Sequence, residues 1–137
     1  MIKAIIFDWG GVLGEDNNKV AAKVLSKKYK VNQKKLYERL SGLEESYSKI
    51  NRNSSYYKTI SKEFDISANE IKKELNKVPA NEVFDYAQSL DGVRLYLLSN
   101  QMKPRTDAIR KDNDLSFFSQ IFFRSEEHTS ELQSPDH

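Results

Sequence analysis

Asp8 stands where an apolar run, IKAIIF (2–7), meets the glycines of WGGVLG. About ninety residues on, a second apolar run, VRLYLLSN (93–100), ends on Ser99 and Asn100. An ionised carboxylate at the end of a buried strand is costly unless something uses it. A carboxylate can attack phosphorus and form an aspartyl-phosphate. A serine hydroxyl and backbone N–H groups can hold the transferred oxygens. Gly10 and Gly11 let the main chain approach such a group with no Cβ in the way. Because Asp8 and a phosphate dianion repel each other, a cation must stand between them, and Mg²⁺ with its oxygen ligands suits that task. The residue types therefore point to phosphoryl chemistry at the carboxyl edge of a sheet, where open parallel sheets bind their ligands.

The elements that must position these residues are legible in the hydropathy pattern. IKAIIF and VRLYLLSN read as strands, and QIFF (120–123) as the start of a third; largely apolar runs suit a buried parallel sheet. From about 17 to 78 the period is helical. Val20, Ala21, Val24, Leu25 and Tyr29 mark one helix, and Leu36, Leu40, Leu43, Tyr47 and Ile50 a second. Asn32 is placed to cap that second helix, with Val31 and Leu36 as its staple. Tyr57, Ile60 and Phe64 mark a third helix. Ser67 with Glu70 predicts a full capping box for a fourth, carried by Ile71, Leu75 and Val78 and ended by Pro79. Val83, Phe84, Ala87 and Leu90 predict a further helix, Asp91-Gly92 a turn, and Thr106 to about Lys111 a short helix after Pro104. Strands alternating with helices argue for an α/β domain with a parallel sheet. The expected fold is a three-layer, Rossmann-like α/β core formed by 1–14 and 79–123, with a helical cap inserted at 15–78.

Composition narrows the chemistry. The 137 residues include no cysteine, so no disulfide, thiolate metal site or thiol nucleophile is available. No run approaches the length of a membrane helix, and no signal-peptide core is present, so the expectation is a cytoplasmic protein with no membrane partner. The last fourteen residues, RSEEHTSELQSPDH (124–137), are polar and aperiodic, and they resemble the conceptual translation of a sequencing adapter joined in frame to a gene. They are expected to be a non-native tail, and they hold both histidines, His128 and His137. Residues 1–123 carry 21 basic and 16 acidic residues, a net charge of +5, and no imidazole. The lysines at 23, 27, 28, 30, 34 and 35 read as solvated helix surface, with only Tyr29 interleaved, so no nucleic-acid partner is expected.

FDWGGVL, a helical insert, and an apolar strand ending LLSN together resemble the haloacid dehalogenase-like (HAD) hydrolase superfamily, in its branch with a helical cap after the first motif. The resemblance spans essentially 1–123. It implies Asp8 as nucleophile, Ser99 as the phosphate-binding hydroxyl with Asn100 beside it, and the Gly10 carbonyl as a Mg²⁺ ligand together with Asp8. It further implies a small-molecule phosphate ester as substrate. Two departures stand out. Phosphatases of the family carry a second acid two residues after the nucleophile, where this chain has Gly10; a general acid contributes about 10²–10⁴-fold. Glu15 or Asp16 could supply that proton, although an acid opening the first helix reads first as an N-cap. The family's later lysine and acidic motifs would follow the third strand, where the adapter-like tail begins. The core is therefore expected to be C-terminally truncated, and the chain as written inactive and poorly soluble, with an apolar strand edge unpaired.

The same residues admit other readings. A 2-haloacid dehalogenase-like hydrolase uses the same carboxylate without a metal. A catalytically degraded binding protein on this fold follows from Gly10. A phospho-receiver domain needs paired acids after the first strand, and only Asp8 is there. Trp9 occupies the first position a dinucleotide fingerprint would need as glycine, and no G-K-[ST] follows the glycines. Trp9 itself reads as packing. Tyr47, Tyr56 and Tyr57 read as core and rim of the helical unit, or as lining of a substrate entrance.

Overall fold

The computed structural model describes residues 3–48, 53–124 and 131–133. Strand β1 (Ala4–Phe7) is followed by four helices, α1 (Asn17–Tyr29), α2 (Gln33–Ser48), α3 (Asn53–Phe64) and α4 (Ala68–Leu75). Then come α5 (Glu82–Ser89), β2 (Arg94–Asn100), α6 (Lys103–Asp112), β3 (Gln120–Arg124) and β4 (Glu131–Gln133). The three strands β1, β2 and β3 pair in parallel in that spatial order, with Phe7 opposite Leu97 and Ser99 opposite Phe123. This is a Rossmann-like α/β arrangement with a helical insert after the first strand.

Two buried clusters account for the packing. On one face of the sheet, Leu95, Leu97, Ile121 and Phe123 meet Phe84 and Ala87 of α5 and Ile109 of α6, with Trp9 and Leu13 from the first loop. The second cluster lies within the helical unit: Ala21, Ala22 and Leu25 of α1, Leu36 and Leu40 of α2, Tyr56, Tyr57 and Ile60 of α3, and Ile71 and Leu75 of α4. α1 packs on α2 and α4, and α3 joins α2 to α4. Met102, just ahead of α6, is buried with this second cluster and so ties it to the sheet.

The helix ends obey local chemistry. Asn32 accepts from the Lys35 amide at 2.9 Å, and Val31 packs, partly buried, against the cluster that contains Leu36. Asp16 caps α1, accepting from the Asn18 and Lys19 amides. Ser67 accepts from the Glu70 amide at 3.4 Å, but the box is only half made: the Glu70 carboxylate pairs with Lys28 of α1 instead of turning back to Ser67. An interhelical cation competes for the carboxylate that the local motif would use.

Several expectations are corrected. Val20 and Val24 are 43% and 44% exposed, because α1 turns Ala21, Ala22 and Leu25 inward instead. β1 alternates in burial and Ile6 is 66% exposed, so the apolar run is a one-face strand at the edge of the described sheet. Leu98, on the same face, is 49% exposed, and no helix among the described residues covers that face. β3 extends through Arg124, the first residue assigned to the tail, and 131–133 add an antiparallel strand on Ile121 to Phe123. Ile2, Ile50, the Tyr47 side chain, both histidines and the rest of the tail fall outside the described residues. Among the described residues, no helix is long and apolar enough to cross a membrane.

Candidate active site

Parallel pairing of β1 with β2 carries the two chemistry-bearing strand ends to one edge. Ser99 Oγ donates to Asp8 Oδ1 at 2.7 Å, across 91 residues of chain. The Trp9 amide donates to the same oxygen at 2.6 Å. Asp8 Oδ2 has no hydrogen bond among the described residues, and Asp8 is exposed, so this oxygen is the one open to a ligand. Ser99 is only 2% exposed. Its Oγ also accepts from Gln101 Nε2 at 3.1 Å, which leaves the single hydroxyl proton for Asp8.

The loop after Asp8 holds its shape through main-chain bonds and two glycines. The amides of Val12, Leu13 and Gly14 all converge on the Trp9 carbonyl at 3.0 Å. Gly11 has φ +74°, where an L side chain is strained. A Cβ at Gly14 would overlap the Trp9 indole, so the buried ring requires glycine there. Trp9 is fully buried and meets Phe84 edge-on at 5.9 Å, which makes it a packing residue as the sequence suggested. Gly14 bridges Ala80, and the Asn81 amide donates to the Leu13 carbonyl at 2.9 Å. The entry and exit of the helical unit are thereby stitched together beside the site.

A cleft of about 260 Å³ opens where this loop meets the helical unit. It is lined by Gly10, Gly11 and Asn100 together with Glu15, Asp16, Asn18, Glu44, Gln101 and Arg105. Gly10, Gly11 and Asn100 therefore face one cavity; Asp8 and Ser99 are not among its lining residues, but their hydrogen-bond partners Trp9 and Gln101 are. Tyr56 and Tyr57 lie in the helical core instead, where burial pushes both phenols above their ordinary pKa. Asp16 is committed twice: it caps α1, and its Oδ2 accepts from Tyr37 Oη at 2.9 Å, an arrangement that raises the Tyr37 pKa. Glu15 is exposed at the cleft.

The donor set available to a cation is oxygen only, which suits Mg²⁺. Among the described residues no group of three acidic or histidine side chains comes together. The Gly10 carbonyl and Asp8 Oδ1, on yielding one of its two hydrogen bonds, would hold the ion, with the remaining positions left to water and phosphate oxygens, the usual manner of Mg²⁺ binding.

Sequence reasoning missed Asn17, Asn18, Glu44, Gln101 and Arg105. Asn17 and Asn18 are buried at the start of α1, and Asn17 Nδ2 donates to the Leu75 and Lys77 carbonyls at 2.9 and 2.7 Å. A polar pair directly after an N-cap is indistinguishable in sequence from solvated helix surface. The chain matches no family model and no curated protein.

Proposed function

We propose that this chain is a HAD-like hydrolase whose Asp8 accepts a phosphoryl group from a small phosphorylated metabolite in the cytoplasm, with Mg²⁺ as cofactor. The observation that carries this reading is the Asp8–Ser99 pair: a carboxylate with one oxygen held and one open, at the carboxyl edge of a parallel sheet. Mg²⁺, when bound, screens the repulsion between carboxylate and phosphate and draws charge from the transferring group.

The chain's own residues divide the remaining work. The Trp9 amide and the Ser99 hydroxyl orient the carboxylate through Oδ1, which presents Oδ2 to phosphorus. A new Oδ2–P bond forms as the bond from phosphorus to the ester oxygen breaks. That departing oxygen needs a proton, and Gly10 has none to give. Glu15, exposed at the cleft, is the acid free to supply it, since Asp16 is held by its cap and by Tyr37. Water then gives a proton back to the Glu15 carboxylate and attacks phosphorus, and the Oδ2–P bond breaks, releasing inorganic phosphate and restoring Asp8. The lining is mostly amides and carboxylates. That favours a polar ester over the apolar cradle a haloacid would want. The second reading, a phosphoryl-binding protein without turnover, draws on Gly10 and on the engaged Asp16.

Beryllofluoride with Mg²⁺ mimics an aspartyl-phosphate and tests the reading. It is expected to raise the Tm of the wild-type chain, and Asp8→Asn is expected to abolish the rise. No rise, or one that survives Asp8→Asn, would overturn the assignment.

A further inference from the structure

The polar seam between the helical unit and the sheet converges on one side chain. Arg105 lies in the first turn of α6 and is 5% exposed. Its Nε donates to the Leu75 carbonyl at the end of α4, 3.1 Å away. Nη1 donates to Glu44 Oε1 of α2 at 2.6 Å and to Gln101 Oε1 at 2.8 Å. Nη2 donates to Asn18 Oδ1 of α1 at 3.2 Å, and Asn18 Nδ2 donates to the second oxygen of Glu44 at 2.9 Å. Three helices of the insert thus end on one guanidinium, a planar fork whose donors point in fixed directions. Gln101 continues the chain. Its Oε1 accepts from Arg105 while its Nε2 donates to Ser99 Oγ, and Ser99 donates to Asp8. Because an amide is planar, holding Oε1 fixes where Nε2 points, and so fixes which way the Ser99 proton is sent.

We propose that Arg105 is a positioning residue that links the seating of the helical unit to the orientation of Ser99 on Asp8. With the unit seated, Glu44, Asn18 and the Leu75 carbonyl hold the guanidinium against Gln101. With the unit lifted, Arg105 loses three of its four acceptors, Gln101 is released, and the Ser99 hydroxyl is no longer directed at Asp8. The consequence for turnover rests on the phosphoryl-transfer reading of Asp8; the mechanical link does not.

Hydrogen exchange on the full chain tests the link without a ligand. Two variants serve: Arg105→Lys, which keeps the charge but loses the fork, and Glu44→Gln, whose path to Ser99 runs through Arg105. Both are expected to speed exchange by about tenfold or more at the start of α1, at the end of α4 and at Ser99 to Gln101. Leu95 to Leu97 of β2 are expected to keep wild-type rates. Faster exchange in the helical unit with wild-type exchange at Ser99 to Gln101 would overturn the proposal, and Glu44→Gln alone decides it if Arg105→Lys does not fold. With beryllofluoride and Mg²⁺, the wild-type insert is expected to slow its exchange and the Arg105→Lys insert is not; equal slowing in both also overturns it. If the wild type shows no response to beryllofluoride, the reading of Asp8 fails, and the ligand-free exchange still judges the link.

Discussion

At the scale of single residues, the Asp8 carboxylate is defined by what each of its oxygens does. Oδ1 takes two hydrogen bonds and Oδ2 none among the described residues, so the side chain is aimed without being neutralised. Gly10 is the weak point of the proposed chemistry, because the leaving oxygen finds no acid there. With Glu15→Gln removing the other acid, Gly10→Asp is accordingly expected to raise turnover of an alkyl phosphate by about 10²-fold, the lower end of what a general acid contributes. A Cβ at position 10 would lie 3.3 Å from Gln101 Nε2, so that amide must shift by a few tenths of an ångström to admit it. Steady-state assay of inorganic phosphate release checks this; turnover unchanged in a folded Gly10→Asp variant would place the limiting step elsewhere. Asp8, Ser99 and the glycines were legible because apolar runs announce their own ends. Arg105 was not, because a buried guanidinium is specified by partners on three helices distant in sequence.

At the scale of elements, the helical insert owes its core to two tyrosines as much as to leucines. Tyr56 is fully buried and donates to the Leu40 carbonyl at 2.8 Å, and Tyr57 meets it edge-on at 5.4 Å. Burial is the leading cause that raises both pKa values. The folded chain therefore keeps these protons where the unfolded chain loses them. Stability is full below pH 10, the ordinary tyrosine value, and falls as pH rises above it. The expected slope is about 1.4 kcal/mol per pH unit for each tyrosine while only the unfolded form ionises. Urea unfolding between pH 8 and about 11 measures it, and Tyr57→Phe should flatten the slope. An unchanged slope would mean that the phenols are not kept neutral by burial. The insert also shows where local sequence rules stop. The Ser67 cap forms as its motif dictates, yet Glu70 leaves the box for Lys28, and Val20 and Val24 face outward although their spacing fits a helical stripe. Each outcome is decided by which helix lies alongside, a fact that a four-residue pattern does not hold.

At the scale of the whole molecule, helices cover one face of the sheet and leave the other largely open among the described residues. Ile6 and Leu98 stand on that open face, next to an edge strand. Apolar surface beside an unpaired strand edge favours association between copies. Sedimentation velocity is expected to show a concentration-dependent shift to larger species, reduced by Leu98→Lys. A monomer across the whole concentration range would contradict that. That these strands pair in parallel was readable from the strand runs; their spatial order and the open face were not, because a β1 of Ala, Ile, Ile and Phe reads as apolar on both sides. All three scales meet at Asp8, which the strands place and the Ser99 hydroxyl holds. The most direct measurement is trapping of the phosphorylated chain: incubation with an aryl phosphate and Mg²⁺, acid quench, and mass spectrometry of the peptides. The account predicts a phosphate adduct on the peptide containing Asp8, lost in Asp8→Asn and weakened in Ser99→Ala by about tenfold or more. An adduct on another residue, or none at all, would contradict it.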